Sequence, residues 1–209
     1  MLRSNYTSVP EEIFNAISHG IGALASIIGF VVLIIHARMS GQPVKFWALV
    51  TFGITMIILY LSSTLFHSLM FTRAQKIFKT IDYSAIALFI AGCYTPIAVV
   101  TLKDNFGWLL LLGVWTLTII GVFWRIFGVK KDEVSLILYL LTGWLVMIYI
   151  KPLAQHLSST ALLTLILGGL FYTIGTIFFQ WKKLVFGHGI WHLCVLGGSV
   201  CHFIMMLSL

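Results

Sequence analysis

The sequence has very few charged residues for its length, and this scarcity limits the classes of protein it can belong to. Only 9% of its 209 residues are Asp, Glu, Lys or Arg, whereas a soluble domain carries about 25%. Its mean hydropathy is +1.04. A soluble enzyme is therefore excluded, and we expect a polytopic membrane protein.

Cysteines are also scarce, and no disulfide framework is expected. The three cysteines, Cys93, Cys194 and Cys201, lie inside apolar segments without CxxC spacing. The net charge of +7 does not indicate a nucleic-acid partner, because the basic residues lie in short loops between apolar runs, where they act as topology signals. Acidic residues directly before the first apolar run, without a cleavage site, predict a retained cytosolic start rather than a signal peptide.

Seven apolar runs are long enough to cross the ~30 Å hydrocarbon core of a bilayer as helices. Their predicted bounds are about 14–37, 46–71, 80–101, 107–127, 134–150, 160–180 and 187–207. Continuous runs of this length exclude an outer-membrane barrel, whose strands alternate apolar and polar residues. We predict an all-α fold, a single seven-transmembrane helix bundle over residues 1–209.

The basic residues predict the orientation of this bundle. Nine of them lie on one side and four on the other. The larger set is Arg3, Arg73, Lys76, Lys79, Arg125, Lys130, Lys131, Lys182 and Lys183, and the smaller set is Arg38, Lys45, Lys103 and Lys151. The positive-inside rule therefore places the N-terminus in the cytoplasm and, after seven crossings, the C-terminus outside.

Polar and ionisable residues inside the apolar helices gather at one end of the predicted bundle. They are Glu12, Asn15 and His19 at the start of the first helix, Ser63 and His67 near the end of the second, Asp82 at the start of the third, and His188 and His192 at the start of the seventh. Such groups are costly in hydrocarbon and need partners or a function. Because all of them lie within about two turns of the cytoplasmic interface, we predict that they form one site.

The histidine spacing points to a metal ion. His188 and His192 are four residues apart, so their rings share one helical face and are able to bind one ion. With His67 as a third nitrogen ligand, the set matches the catalytic arrangement of zinc, which is three protein ligands and a water. We predict zinc as the cofactor, with Asp82 as an acceptor that holds the zinc-bound water and Ser63 as its hydroxyl partner. Asp82 as a fourth ligand is the alternative.

Ordinary structural roles compete with these functional ones. His67 would simply hydrogen-bond a neighbouring helix, and Asp82 would cap the third helix. Ser63 would bond to its own i−4 carbonyl group, and Glu12 would be a first-turn acid. His202 continues the stripe of the seventh helix about 15 Å beyond His192. It is predicted to line the outer end of an internal cavity or to be a buried structural group.

Four segments resemble successive motifs of the hemolysin III proteins: EEIFNAISHG, SSTLFH, IDYSAIALFIAGCYTP and GHGIWHLCVLGGSVCHF. These proteins are the bacterial branch of the progestin and adiponectin receptor family, which is related to alkaline ceramidases. The resemblance covers nearly the whole chain. It implies that His67, His188 and His192 are zinc ligands and that Ser63 and Asp82 lie around the zinc-bound water.

The function implied by this resemblance is hydrolysis of lipid amides or esters in the bacterial inner membrane, with an effect on membrane lipid homeostasis. A membrane lipid or fatty acid is the expected occupant of an internal cavity. Two alternatives stand beside it: a non-enzymatic sensor or regulator of membrane state with structural zinc, and a pore-forming hemolysin. A uniformly apolar bundle would aggregate in water, which argues against a secreted pore former.

The predicted orientation is testable by cysteine labelling. In intact cells a membrane-impermeant maleimide should react with a Ser208→Cys variant and should reach a Ser4→Cys variant only after lysis, because the basic loops keep the N-terminal side inside. The unsubstituted chain gives the background from its three cysteines. Labelling of Ser4→Cys before lysis would reverse the orientation.

Overall fold

The computed structural model of the chain describes residues 8–103, 105–128 and 132–209. Within these ranges the protein is built of helices joined by short turns, and seven segments are long and apolar enough to cross a membrane. The predicted all-α class with seven transmembrane segments is thereby confirmed. The orientation of the termini and the division into domains stay predictions.

Eight α-helices lie in the described ranges. They are α1 (Val9–Met39), α2 (Pro43–Ser68), α3 (Gln75–Pro96), α4 (Asn105–Phe127), α5 (Asp132–Trp144), α6 (Ile150–His156), α7 (Ser159–Gln180) and α8 (Gly187–Leu207). A π-helix, Ile97–Leu102, extends α3. A 3-10 helix, Leu145–Tyr149, joins α5 to α6, so that these three elements form the fifth crossing.

The first helix begins at Val9 rather than at residue 14, because a capping box starts it ahead of the apolar run. The backbone nitrogen of Ser8 donates to the Glu11 carboxylate at 2.8 Å, and the Ser8 hydroxyl accepts from the Glu11 backbone nitrogen. This pattern of Ser followed three residues later by Glu is a start signal that hydropathy does not register. The extra turn brings Glu12 into the helix beside Asn15.

The fifth crossing is longer than the predicted 134–150 and is broken in its middle. The break frees backbone groups that a hydrocarbon environment would leave unpaired. The hydroxyl group of Tyr94 on α3 satisfies them, since it lies 2.8 Å from both the Gly143 carbonyl oxygen and the Val146 nitrogen. This side chain explains how an interrupted helix is tolerated at this depth.

Large apolar side chains cover the outside of the bundle, while small residues line the contacts between helices. On α1 the side chains of Ile21, Leu24 and Ile28 are each more than half exposed, as expected of a surface that faces lipid. On the inner side of the same helix, a methyl group at Gly22 would overlap Tyr60 of α2 and Leu196 of α8. Close packing of α1 against both partners therefore depends on this glycine.

An ion-pair cluster joins the neighbouring ends of α3, α4 and α5. Asp132 accepts from Lys79 at 2.9 Å and from Arg125 at 3.0 Å. The guanidinium group of Arg125 also lies 3.8 Å from the ring centroid of Tyr83, and only 3% of its side chain is exposed. A buried cation needs such partners, because its desolvation is otherwise uncompensated.

Removal of the Asp132 carboxylate should destabilise this end of the bundle. In an Asp132→Asn variant the buried Arg125 guanidinium loses its anionic partner, and we expect the free energy of unfolding to fall by roughly 3 kcal/mol. Thermal unfolding in detergent measures the change. The matched control is Glu133→Gln at the exposed neighbouring residue, which should unfold like the unsubstituted protein. Equal stability of the two variants would contradict a structural role for the cluster.

Candidate metal centre

Three histidines from two helices meet at one end of the bundle. His67 lies in the last turn of α2, and His188 and His192 lie in the first two turns of α8. One potential ligand atom from each of them lies within 4.8 Å of those of the other two. Two nitrogen atoms that bind one tetrahedral zinc ion at about 2.1 Å lie about 3.4 Å apart, so the three side chains would need to move together by about 1 Å to hold one ion.

The first helix orients two of these rings. The Glu12 carboxylate lies 2.6 Å from Nδ1 of His67, and the carbonyl oxygen of Asn15 lies 3.2 Å from Nδ1 of His192. The hydroxyl group of Ser18 is 3.1 Å from the same nitrogen of His192. Because a carboxylate and a carbonyl group only accept, both Nδ1 atoms are the protonated ones, and the two Nε2 lone pairs are left for an ion.

One unpaired atom among the three histidines fits a metal. His67 has only 3% exposure, and its Nε2 atom has no hydrogen-bond partner among the described residues. An unpaired buried polar atom is unfavourable, and a metal ion would satisfy it. A metal-bound histidine whose other nitrogen donates to a carboxylate is a common arrangement. The residues present therefore suit a divalent ion held by imidazole nitrogens.

A second group of polar side chains lies against these histidines. The ring of His19 stacks on His192 with centroids 3.5 Å apart and planes 8° apart. Its Nδ1 atom lies 2.7 Å from the hydroxyl oxygen of Ser63, and Asp82 lies close to that hydroxyl. Both Ser63 and Asp82 are buried and line the adjoining cavity. The site thus combines a possible metal centre with a carboxylate and a hydroxyl group.

Two of the ordinary structural roles do not apply. Asp82 does not cap α3, because that helix begins at Gln75 and Asp82 lies about two turns inside it. It is Ser62, and not Ser63, that hydrogen-bonds to the carbonyl oxygen of Leu59. Glu12 occupies the first turn of α1 and contacts His67 as well, so its two proposed roles coexist.

The turn before α8 sets the position of its first histidine. Phe186 has a left-handed backbone with φ of 58°, and its nitrogen donates to the Glu11 carboxylate at 2.9 Å. Its ring packs edge-on against Phe14, with centroids 5.6 Å apart. These contacts tie the start of α8 to the start of α1.

Sequence reasoning missed both the contact of Glu11 with Phe186 and the contact of Ser18 with His192, although Ser18 follows Asn15 at helical spacing on the predicted stripe.

A cavity opens beside the histidines and extends along the bundle axis between α2, α3, α5, α7 and α8. His19, His188 and His192 line one end of it, and Trp144 and His202 line the other. Apolar side chains line the part between, among them Leu59, Ile86, Phe89, Ile90 and Val195. The structure therefore contains an internal cavity that is polar at its ends and apolar in the middle.

Comparison with known proteins places the chain among proteins of one family. The sequence profile of the family described as Haemolysin-III related matches residues 7–203. The chain is 46% identical to Hemolysin-3 of Bacillus cereus over 200 residues, which cover 95% of this chain and 91% of that protein. It is also 46% identical to the Hemolysin-3 homolog of Bacillus subtilis over 201 residues, which cover 96% and 94% of the two chains.

A more distant similarity extends to animals. The Monocyte to macrophage differentiation factor of Homo sapiens is 24% identical over 204 residues, which cover 92% of this chain and 82% of that protein. The bacterial and human proteins are thus similar to this chain over most of its length.

Metal binding should depend on the three clustered histidines and not on an exposed one. Purified protein is expected to contain about one metal ion per chain by elemental analysis, and His67→Gln or His192→Gln should lose it, because two imidazoles hold an ion far less tightly than three. His156→Gln is the matched control, since His156 is exposed at the end of α6. Full metal content in His192→Gln would rule out this centre.

Proposed function

The chain belongs to the haemolysin-III-related family, and from that membership and its histidine cluster we propose that it is a zinc-dependent hydrolase of long-chain lipid amides or esters in the bacterial inner membrane. The observation that carries this proposal is the position of the clustered histidines. They lie beside Asp82 and Ser63 at the polar end of an otherwise apolar cavity.

Zinc is the ion that this donor set favours. Imidazole nitrogens suit zinc, and three protein ligands leave a fourth position for water, as catalytic sites do. When bound, zinc lowers the pKa of a coordinated water from 15.7 toward about 7 and so supplies a nucleophile at neutral pH. The ligands would be His67, His188 and His192, with Glu12 holding the first of them in orientation.

Asp82 is the proposed proton carrier. Its side chain is only 7% exposed, lies close to Ser63 and lines the cavity in which a substrate would sit. A carboxylate in this position would accept the proton released by the attacking water and transfer it to the nitrogen or oxygen of the leaving group. The scissile bond would then break without release of an unprotonated amine or alkoxide into hydrocarbon.

Ser63 would bind the carbonyl oxygen of the substrate. Its hydroxyl oxygen lies 2.7 Å from Nδ1 of His19 and would accept from that nitrogen, while its single proton is directed to the Asp82 carboxylate. Once Asp82 has taken up a proton from the attacking water, the Ser63 hydroxyl would turn to donate to the substrate oxygen. A donor aimed at the oxygen on which negative charge develops stabilises the transition state. The stacking of His19 on His192 holds this pair next to the metal ligands.

A long-chain acyl group is the substrate feature that the cavity favours. The wall between its two polar ends consists mainly of aliphatic and aromatic side chains, which would bury methylene groups and exclude water. Within the described lining, the acidic residues Asp82 and Asp132 lie toward the histidine end. A lipid would therefore place its amide or ester bond at that end and its chain along the cavity.

A regulator of membrane state with a structural metal is the second candidate. It is favoured by the contacts of Glu12 with His67 and of Ser18 with His192, because a metal in this position would join α1, α2 and α8. The name Hemolysin-3 of the bacterial relatives adds pore formation as a third candidate, which ion conductance in bilayers of pure lipid would support. Neither alternative requires Asp82 as a proton carrier.

Substitution of Asp82 separates hydrolysis from metal binding. In an Asp82→Asn variant we expect the metal content to stay at about one ion per chain while kcat for release of fatty acid from a lipid amide falls by about 10²- to 10⁴-fold, because an amide cannot accept the proton. Ser63→Ala should also lower kcat. Fatty acid release from a panel of lipid amides and esters is the measurement.

Ser62→Ala is the matched control, because this neighbouring buried serine bonds to its own helix and lies outside the cavity lining. It should retain both metal and activity. If unsubstituted protein with a full complement of zinc cleaves nothing in the panel, the enzymatic function is wrong. If Asp82→Asn still cleaves at the normal rate, the proton carrier is another residue.

A further inference from the structure

The imidazole of His202 is a buried polar group without a use in the proposed chemistry. It is 8% exposed, and neither of its ring nitrogens forms a hydrogen bond of ordinary geometry with a described residue. The carbonyl oxygen of Leu165 lies near the ring but does not satisfy it. Buried polar groups are nearly always paired, so an imidazole left unpaired inside the protein points to a missing partner.

The surroundings of His202 hold its ring in one place. A methyl group at Gly168 would overlap the Cδ2 and Nε2 atoms of the imidazole, so the ring lies directly against the α7 backbone. Tyr172 packs edge-on against it, with ring centroids 5.4 Å apart. The Tyr172 hydroxyl is bonded in turn to Ser199 at 3.1 Å, and Ser199 is bonded to Tyr60 at 2.7 Å. The unpaired ring is therefore fixed by its neighbours, as a binding group should be.

His202 and the metal histidines lie at opposite ends of one cavity. Ten residues of α8 separate His192 from His202, which corresponds to about 15 Å of helix rise. The intervening lining is apolar and includes Leu59, Phe89 and Val195. A ligand that satisfies both ends must be elongated, with a polar head, an apolar chain and a second polar group far from the head.

The chemistry of the His202 end favours an uncharged group. The described lining residues near it, including Cys93, Tyr94 and Tyr172, carry no charged side chain. A carboxylate or ammonium group would be buried there without a counter-ion, at a large cost in desolvation. A hydroxyl or carbonyl oxygen avoids that cost and is able to hydrogen-bond an imidazole, which both donates and accepts.

We propose that the His202 end of the cavity is a second ligand subsite, which binds a neutral hydroxyl or carbonyl group carried far along the chain of a long-chain lipid. The proposal rests on the proposed function only in placing the head of that lipid beside the metal. The subsite would select chains by the position of their oxygen atom, which a purely apolar cavity cannot do.

Nitrogen NMR of the histidine side chains tests the subsite directly. Protein labelled with ¹⁵N-histidine is placed in lipid nanodiscs, and the His202 signals are identified by their loss in His202→Gln. Dodecane-1,12-diol has a hydroxyl group for each end of the cavity and should shift these signals, because one of its hydroxyl groups hydrogen-bonds the ring, while the same mole fraction of dodecane should leave them unchanged. If the two additives act alike, water alone occupies this end and the subsite does not exist.

Binding affinities measure how much the hydrogen bond to His202 contributes to ligand binding. The affinity for dodecane-1,12-diol should fall about tenfold in His202→Phe, the size of effect that one hydrogen bond in a dry site produces, while the affinity for dodecane should not fall. His156→Phe serves as the matched control and should bind both additives like the unsubstituted protein. An unchanged affinity for the alcohol in a folded His202→Phe variant would overturn the proposal.

The two proposals fail separately. A His202 signal that responds to the alcohol in a protein that cleaves no lipid supports the subsite and contradicts the hydrolase. Cleavage of lipid amides by a protein whose His202 signal ignores the alcohol supports the hydrolase and contradicts the subsite. The NMR shifts are measured on the unsubstituted protein, and only the assignment of the signals uses His202→Gln, so the measurement stands even if His202→Phe fails to fold.

Discussion

The hydrogen bond between Glu12 and His67 is the interaction on which the polar end of this bundle depends. It spans 2.6 Å between α1 and α2 inside a structure whose outer surface is apolar. A carboxylate and an imidazole are both costly to bury alone, and each is tolerated here because the other is present. The same bond leaves Nε2 of His67 unpaired, and the His67 ring lies with its centroid 5.0 Å from that of His188 and 4.8 Å from that of His192. The burial of this pair thus leaves one imidazole nitrogen without a partner, and a metal ion would supply that partner.

The packing of α1 between α2 and α8 extends this constraint to the rest of the site. Close contact at Gly22 and the tie from Glu11 to Phe186 hold the three helices at one depth and rotation. In that arrangement the backbone carbonyl group of Asn15 contacts Nδ1 of His192, and Nδ1 of His19 contacts the hydroxyl group of Ser63. The candidate metal ligands come from α2 and α8, but α1 supplies the groups that orient two of them. An integral, multi-pass membrane protein is able in this way to bury a polar centre that no single helix would stabilise.

The cavity connects this centre to the interior of the bundle. The apolar side chains of its wall give the cavity a lipid-like interior, and the polar groups at its two ends differ in chemistry. At one end a carboxylate, a hydroxyl group and imidazoles surround the candidate metal position, whereas at the other end a single imidazole stands among uncharged groups. A ligand aligned along this axis would meet each end with a different part of its structure. A lipid bound as proposed would therefore be recognised by its amide or ester bond at one end and by the position of an oxygen atom along its chain at the other.

The sequence by itself determined the class of fold and the identity of the polar residues. Low charge and long apolar runs leave few alternatives to a helical bundle in a membrane, and the i, i+4 pair of His188 and His192 is readable because helical periodicity is local. Only the tertiary structure decided which residues pair across helices. Glu12 and His67 are 55 residues apart, and their contact depends on the depth and rotation of two helices, which packing sets and periodicity does not report. The break relieved by Tyr94 and the partnership of Ser63 with His19 were decided in the same way, by contacts distant in sequence.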